Sequence, residues 1–253
     1  MKKMTTVALI GNPNVGKTEL FNRLTGMKQK VGNWPGVTVE KKTGKCVVGS
    51  GSGEGSGEEL EVVDLPGTYS LTAHALDELI ARDYIVEEKP EVVVDILDGT
   101  NLERNLYLTL LLLELEANLV VALNQWDVVR KRGIEVDLEK LSELLGVPVL
   151  PTVATTGEGV EELKEAVVKA ATAKEREKRR KVVMGYGEDI EALIKNVEKA
   201  VSKDAELSGK YPPRWLAIKV LEKDEKVLKL VENSPHGVEI KEAAVNKKGG
   251  ETK

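Results

Sequence analysis

The sequence predicts an α/β fold: a mostly parallel sheet of six strands with flanking helices, followed by a small all-helical unit. Three observations predict it. Short apolar runs of strand type alternate with helical patterns from residue 7 to about residue 171, and such alternation builds a mainly parallel sheet covered by helices. Past residue 171 the strand signal stops, and apolar residues recur only at helical spacing. Between the first strand and the first helix lies Gly11-Asn12-Pro13-Asn14-Val15-Gly16-Lys17-Thr18, which fits the phosphate-loop pattern G-x-x-x-x-G-K-[ST] in the strand–loop–helix context that pattern needs.

The first strand is read at residues 7–10, and the first helix begins at Glu19-Leu20-Phe21-Asn22-Arg23-Leu24. Further strands are read at 37–48, 60–63, 92–97, 119–123 and 147–150. The second and third are joined by a hairpin-like connection, so antiparallel pairing is expected there. That connection, Gly49-Ser50-Gly51-Ser52-Gly53-Glu54-Gly55-Ser56-Gly57, is too poor in apolar surface to fold alone. Residues 106–123 are the most apolar stretch, but Glu114, Glu116 and Asn118 interrupt it. It falls short of the roughly 18 apolar residues of a membrane span and reads as a buried helix followed by a buried strand.

Lys174-Glu175-Arg176-Glu177-Lys178-Arg179-Arg180-Lys181 reads as a solvated helix face or linker. Ile190, Leu193, Ile194, Val197 and Val201 then mark one helix. After the turn at Tyr211-Pro212-Pro213, the residues Trp215, Ile218, Leu221, Leu228 and Val231 continue the helical pattern. The expected organisation is a nucleotide-binding domain over 1–171, a helical domain over 172–233, and a polar, disordered tail over 234–253.

Composition narrows the function classes. The 253 residues are 41% hydrophobic and 31% charged, with a net charge of −5, which suits a globular protein and argues against a broad nucleic-acid surface. Cys46 is the single cysteine, so no internal disulfide framework exists, and a reducing compartment is expected. Met1-Lys2-Lys3-Met4 leads straight into a strand, which is not the pattern of a secretory signal.

The chemistry of the loop is that of phosphate binding. Gly11 and Gly16 let the backbone bend around an anion with its N–H groups inward, and the helix N-terminus adds partial positive charge. Lys17 can reach the β- and γ-phosphates, and the Thr18 hydroxyl can bind Mg²⁺. Asp64-Leu65-Pro66-Gly67 follows the third strand. Asp64 can hold the Mg²⁺ water shell, and the Gly67 N–H can meet a γ-phosphate. Asn124-Gln125-Trp126-Asp127 follows the strand at 119–123. The Asp127 carboxylate can accept both N1–H and N2–H of guanine, two donors that adenine lacks. After the last strand come Val153, Ala154 and Thr155, where the Ala154 N–H is placed to meet the guanine O6. Each piece lies at a strand end, the edge where open α/β sheets bind ligands. Together they specify GTP and GDP on a P-loop NTPase G domain.

These residues resemble the translation-factor class of small GTPases and, more narrowly, the cytosolic N-terminal region of the ferrous iron transport protein B (FeoB) family. The closer match is carried by the phosphate loop and by Gly32-Asn33-Trp34-Pro35-Gly36-Val37-Thr38-Val39-Glu40. It continues through Asp64-Leu65-Pro66-Gly67-Thr68-Tyr69-Ser70-Leu71, Asn101-Leu102-Glu103-Arg104-Asn105-Leu106 and Tyr211-Pro212-Pro213-Arg214-Trp215. The resemblance covers about residues 4–233. It implies a G domain, a helical domain similar to a nucleotide-dissociation inhibitor, and a membrane-embedded iron-permease region beyond this chain. It also implies a cytoplasmic location at the inner face of the membrane, leaves self-association open, and calls for no nucleic-acid partner.

The resemblance further makes 32–40 switch I, with Thr38 on Mg²⁺ when GTP is bound, and makes Asp64 the start of switch II. It implies a K⁺ ion held by Asn14 and by backbone carbonyls near Gly32 and Trp34. Trp34 is expected to be exposed in one nucleotide state, and Trp215 is expected in the core of the helical domain. Lys17, Asn14, Thr38 and Gly67 are then the catalytic set. Two departures stand out. Thr68 occupies the position where many GTPases carry a water-orienting Gln, so slow intrinsic turnover with K⁺ stimulation is expected. Gln125 replaces the usual Lys, whose stem packs over the base, so micromolar or weaker affinity is expected. His74, just past switch II, is not assigned as a general base. No His/Cys/Asp/Glu cluster has metal-ligand spacing, so direct Fe²⁺ binding finds no support. The competing reading, an RNA- or ribosome-associated assembly GTPase, would call for a basic or KH-like appendage. The C-terminal unit lacks the G-x-x-G loop such an appendage would carry.

Overall fold

The computed structural model describes residues 4–49, 57–72, 75–178 and 182–245. The chain divides into two units, Met1–Leu113 with Ala117–Val182, and Glu114–Glu116 with Val183–Lys253. The glycine-rich segment at 50–56, His74, the end of the charge run at 179–181 and the tail beyond 245 lie outside the described residues.

The first unit is built on one sheet: β1 (Thr5–Gly11), β2 (Gln29–Asn33), β3 (Glu40–Val48), β4 (Glu58–Asp64), β5 (Val92–Asp98), β6 (Leu119–Asn124) and β7 (Val149–Pro151). Their order is β2-β3-β4-β1-β5-β6-β7. β4, β1, β5, β6 and β7 run parallel, whereas β2–β3 and β3–β4 pair antiparallel. The sheet therefore has seven strands where six were expected. The additional strand is β2, and the strand expected from residue 37 begins instead at Glu40. Gln29-Lys30-Val31-Gly32-Asn33 is exposed along its whole length, so burial imposes no apolar alternation on it, and that alternation is the strand signal.

The central strands read as continuous apolar runs because helices cover both faces. Val92, Val93, Val94, Ile96 and Leu97 of β5 are all buried. α1 (Lys17–Thr25) turns Leu20, Phe21 and Leu24 onto the same core as Val7 and Leu9 of β1, together with Leu163 and Val167 of α6 (Val160–Ala171). Each such side chain stabilises the fold by roughly 1.5–3 kcal/mol of burial. The remaining helices of this unit are α2 (Leu76–Asp83), α3 (Leu102–Glu114), α4 (Trp126–Lys131), α5 (Leu138–Leu145) and α7 (Ala173–Lys178). A π-helical turn over Tyr84–Glu88 follows α2.

Strand register fixes which residues share an edge. Leu9 pairs with Asp64, Asp64 with Lys42, and Lys42 with Val31. On the other side Gly11 pairs with Ile96, Asp98 with Asn124, and Leu123 with Pro151. The phosphate loop, Asp64, the β2–β3 turn, Asn124 and the loop after β7 therefore all leave the sheet at one end.

The second unit comprises α8 (Glu188–Val201), α9 (Ala205–Lys210), α10 (Pro213–Leu221), α11 (Glu225–Glu232) and α12 (Gly237–Val245). Ile194, Val197, Val201, Trp215, Leu216, Val227, Val231 and Ile240 form its buried interior, with Tyr211 stacked on Trp215 at 5.8 Å between ring centroids. Asp204 and Asp224 cap α9 and α11 by accepting backbone N–H bonds. Arg214 forks onto Glu191 at 2.7 and 3.0 Å, tying α10 to α8. The tail expected to be disordered over 234–253 is corrected for its described part, up to residue 245. Residues 237–245 form a helix because Ile240 is buried completely and Glu239 pairs with Lys203. Among the described residues no helix is long and apolar enough to cross a membrane.

Candidate nucleotide-binding site

Gly16 closes the phosphate loop in a left-handed conformation, φ 87°, at the N-cap of α1. An added Cβ there would collide with the Asn124 side-chain amide, so both backbone angle and space demand glycine. Asn14 is also left-handed, φ 69°, a conformation Asn tolerates better than most residues. Asn14 and Thr18 are exposed, while Asn12 and Val15 are buried. The Asn12 Oδ1 is buried without a hydrogen-bond partner among the described residues.

Lys17 ion-pairs with Asp64, which brings the loop cation to the end of β4. Past β4 the chain continues the sheet for a few residues: the Leu65 N–H donates to Leu9 C=O at 3.0 Å and the Thr68 N–H to Gly11 C=O at 3.1 Å. Gly67 sits against the phosphate loop, where a Cβ would lie 3.5 Å from the Pro13 Cα. Thr68 is buried and its hydroxyl donates to the Ser70 C=O at 2.7 Å. That hydroxyl is committed to the loop's own turn.

The loops after β6 and β7 are held together by Asn124. Its amide donates to Val15 C=O at 2.8 Å, and its Oδ1 accepts the Ala154 N–H at 3.0 Å. One buried side chain thus joins the phosphate loop, the end of β6 and the loop after β7. Gln125 is left-handed, φ 60°, and opens α4. Asp127, in the first turn of α4, is exposed. The loop carrying Val153, Ala154 and Thr155 is closed by the Val153 N–H to Glu158 C=O bond at 2.9 Å. Arg130 forks onto Glu158 at 2.8 Å through both terminal nitrogens. Arg23 donates from Nε to Ala154 C=O at 3.0 Å and from Nη2 to Thr155 C=O. The sequence reading did not single out Asn124 as a brace or Arg23 as a contact, since neither partner is near in sequence.

Gly32, Trp34 and Thr38 lie on the β2–β3 hairpin at the same edge. Three strand intervals of about 4.8 Å separate β2 from β1. The turn's backbone bonds close on itself: Trp34 N–H to Val39 C=O at 2.9 Å, and Val37 N–H to Trp34 C=O at 3.2 Å. Thr38 is exposed. Trp34, expected to be exposed in one nucleotide state, is buried here and packs edge-on against Tyr84 at 5.3 Å, with the Lys41 ammonium 4.6 Å from the indole. This conformation therefore gathers the phosphate loop, Asp64, Gly67, Asn124 and 153–155, and leaves Gly32, Trp34 and Thr38 to a hairpin of their own.

The donor set suits a small hard cation. Thr18 and Asp64 place a hydroxyl and a carboxylate at this edge, the kinds of oxygen that Mg²⁺ takes, while Thr38 stays on the hairpin. Among the described residues no group of three or more His, Cys, Asp or Glu could hold a metal alone. Asn14 is exposed on the same loop.

Comparison with known proteins agrees with this geometry. The family model for ferrous iron transport protein B matches residues 5–167, and the model for the FeoB cytosolic helical domain matches residues 186–248. The Fe(2+) transporter FeoB of Methanocaldococcus jannaschii is 48% identical over 239 residues, covering 94% of this chain and 34% of the relative. That of Escherichia coli is 42% identical over 228 residues, covering 88% of this chain and 27% of the relative. The chain thus spans about a third or less of the length of these relatives. The crystal structure of the cytosolic domain of the T. maritima FeoB iron transporter in apo form has 41% identity and a TM-score of 0.81, covering 94% of this chain and 86% of that one. Its GMPPNP form has 40% identity and a TM-score of 0.82, covering 96% and 90%. The two family models account for both units, and this chain belongs to the FeoB family, matching its N-terminal G domain and cytosolic helical domain.

Proposed function

We propose that this chain is the GTP-binding and GTP-hydrolysing cytosolic part of a ferrous iron membrane transporter, in which nucleotide-dependent switch loops regulate Fe²⁺ uptake. The observation that carries the reading is the Asn124 brace, which joins the phosphate loop to the loop carrying Ala154. It supports a single site whose phosphate-gripping and base-reading halves meet at one edge. The T. maritima FeoB cytosolic domain has been crystallised in GDP and GMPPNP forms, which supports a guanine nucleotide at that edge.

In this reading the inward N–H groups of Gly11 to Thr18 and the Lys17 ammonium bind the β- and γ-phosphates. Asn124, Gln125, Asp127, Val153, Ala154 and Thr155 hold the base, with the Asp127 carboxylate accepting from guanine N1–H and N2–H. Lys17 moves from Asp64 to the phosphates, freeing the carboxylate. Water attacks the γ-phosphorus, the bond to the β–γ bridging oxygen breaks, and GDP and phosphate leave. The Gly67 N–H meets the γ-phosphate and reports its presence to switch II. Thr18, Thr38 and Asp64 (through water) would hold Mg²⁺, and Asn14 with the Gly32 and Trp34 carbonyls would hold K⁺. Both ions supply positive charge against the charge that develops on the phosphates. With the Thr68 hydroxyl committed to Ser70, that side chain does not orient the water, and intrinsic turnover is slow. A membrane-embedded permease region is the partner, and the chain works on the cytoplasmic face.

Steady-state hydrolysis of GTP and of ATP, each in K⁺ and in Na⁺ with Mg²⁺ present, tests this. GTP is expected to be turned over in preference to ATP, and faster in K⁺. Preference for ATP, or uptake of neither nucleotide, overturns the nucleotide reading. Equal rates in K⁺ and Na⁺ remove the monovalent cation alone.

A further inference from the structure

We infer that Arg23 is a positioning residue for guanine: it aims the Thr155 N–H at the base carbonyl, and so sets base selectivity and the rate of GDP release. The inference rests on the proposal that the base lies beside Asp127 and the loop at 153–155.

Arg23 belongs to the last turn of α1, the helix that the phosphate loop opens. Its guanidinium reaches a loop more than a hundred residues away and donates to two successive carbonyls, those of Ala154 and Thr155. A planar fork can satisfy both at once, whereas an ammonium is a point donor. In an extended chain successive carbonyls point to opposite sides. Holding two of them toward one side group therefore specifies a bent local backbone.

The trans peptide supplies the consequence. In a planar trans unit the C=O and the following N–H are antiparallel. Arg23 fixes the Ala154 C=O on its own side, so the Thr155 N–H must point away from it. The other amides of the loop are engaged. The Ala154 N–H is taken by Asn124 Oδ1 at 3.0 Å, the Thr156 N–H by Val153 C=O at 3.2 Å, and the Gly157 N–H by Val153 C=O at 2.8 Å. The Thr155 N–H has no acceptor among the described residues, and Thr155 is exposed. The donor for the guanine O6 is then Thr155 rather than Ala154, whose N–H the sequence had suggested. Adenine carries an amino group at that ring position and would set donor against donor, so the same N–H rejects it.

The test measures release of fluorescently labelled GDP, and competition by unlabelled GDP and ADP, on the full chain with Mg²⁺. The variants are R23M, R23K, R130M and D127N. Arg23 is exposed, so its substitution leaves the core intact. R23M is expected to speed GDP release about tenfold, the worth of one or two exposed charge-assisted hydrogen bonds. It should narrow the GDP-over-ADP preference by a similar factor. R23K, which retains one donor, should fall between R23M and the parent. R130M loosens the Glu158 end of the loop without touching the two carbonyls, and should leave the GDP-over-ADP preference in place. The inference is overturned if R23M releases GDP at the parental rate. It is equally overturned if release quickens while the preference stays fixed, or if R130M narrows the preference as much as R23M does. D127N separates the two layers. A shift from GDP to XDP in D127N with no effect in R23M sinks the Arg23 inference and leaves the base site standing. No shift in D127N removes the base site itself, and the Arg23 inference falls with it.

Discussion

At the scale of single residues, Asp95 is the least comfortable group in the first unit. It lies in β5 between Ile10 and Val121 of the neighbouring strands, 1% exposed. Its Oδ2 accepts the Thr109 hydroxyl at 2.7 Å. Burial pushes its pKa up from 3.8 to about 7, and the Thr109 bond pulls only part of the way back. The sign of the linkage follows. Between the two values the unfolded chain has lost the proton and the folded chain still holds it, so stability falls as pH rises, by up to about 1.4 kcal/mol per pH unit. Below the lower value and above the upper one the contribution is flat. D95N keeps an acceptor for Thr109 and removes the titration. Its melting temperature should exceed that of the parent at pH 8, and the gap should shrink at pH 5. Parallel profiles of the two proteins across this range would show that Asp95 does not govern the slope. Asp95 stands inside the apolar run at 92–97, but nothing in the sequence shows that it is closed in completely, because the cost arises from what packs around it. The phosphate-loop residues were legible for the opposite reason. Gly16, Lys17 and Thr18 are tied to their chemistry by local spacing, whereas Asn124 and Arg23 act through partners about 30 to 130 residues away.

At the scale of elements, legibility tracked burial. β5 and β6 are buried along their length and read as apolar runs. β2 is exposed throughout and was missed, since backbone pairing to β3 defines it rather than side-chain pattern. The tail was misread for a related reason. Ser234-Pro235-His236 looks like a helix stop, and Lys247-Lys248-Gly249-Gly250 dominates the local composition. The helix between them carries Val238, Ile240, Ala243, Ala244 and Val245, but only Gly237 and Ile240 are buried, so its pattern gives a weak helix signal. At Gly237 a Cβ would collide with the Val231 carbonyl, so α12 leaves α11 at van der Waals range and carries Ile240 into the interior. I240A is therefore expected to cost the second unit about 2–5 kcal/mol, read by urea denaturation followed through Trp215. A cost under half a kcal/mol would mean that α12 is not part of the folded unit. The β2–β3 hairpin carries a different tension. The Trp34 Nε1 is buried without a partner among the described residues, a burden of roughly 1–3 kcal/mol. The edge-on contact with Tyr84 and the Lys41 ammonium offset part of it. A turn held at such a cost is suited to having a second arrangement.

At the scale of the whole molecule, the candidate site residues all fall in one of the two units. The residues at 11–18, 32–38, 64–67, 124–127 and 153–155 belong to Met1–Leu113 with Ala117–Val182. A ligand that binds only the folded form stabilises what it touches by RT ln(1 + [L]/Kd), about 2.7 kcal/mol at a hundredfold excess over Kd. Each unit has its own buried interior, so each can melt as a cooperative block. Calorimetry of the full chain is therefore expected to resolve two transitions. GDP with Mg²⁺ should raise the midpoint of the one assigned to the first unit, in proportion to the logarithm of nucleotide concentration. The other should stay within a degree or so of its position, and I240A should identify it by lowering that midpoint alone. If GDP moved both transitions together, nucleotide binding would be coupled to the helical unit across the chain. The helices at 188–245 would then respond to nucleotide, rather than standing apart from it as a separately stable block.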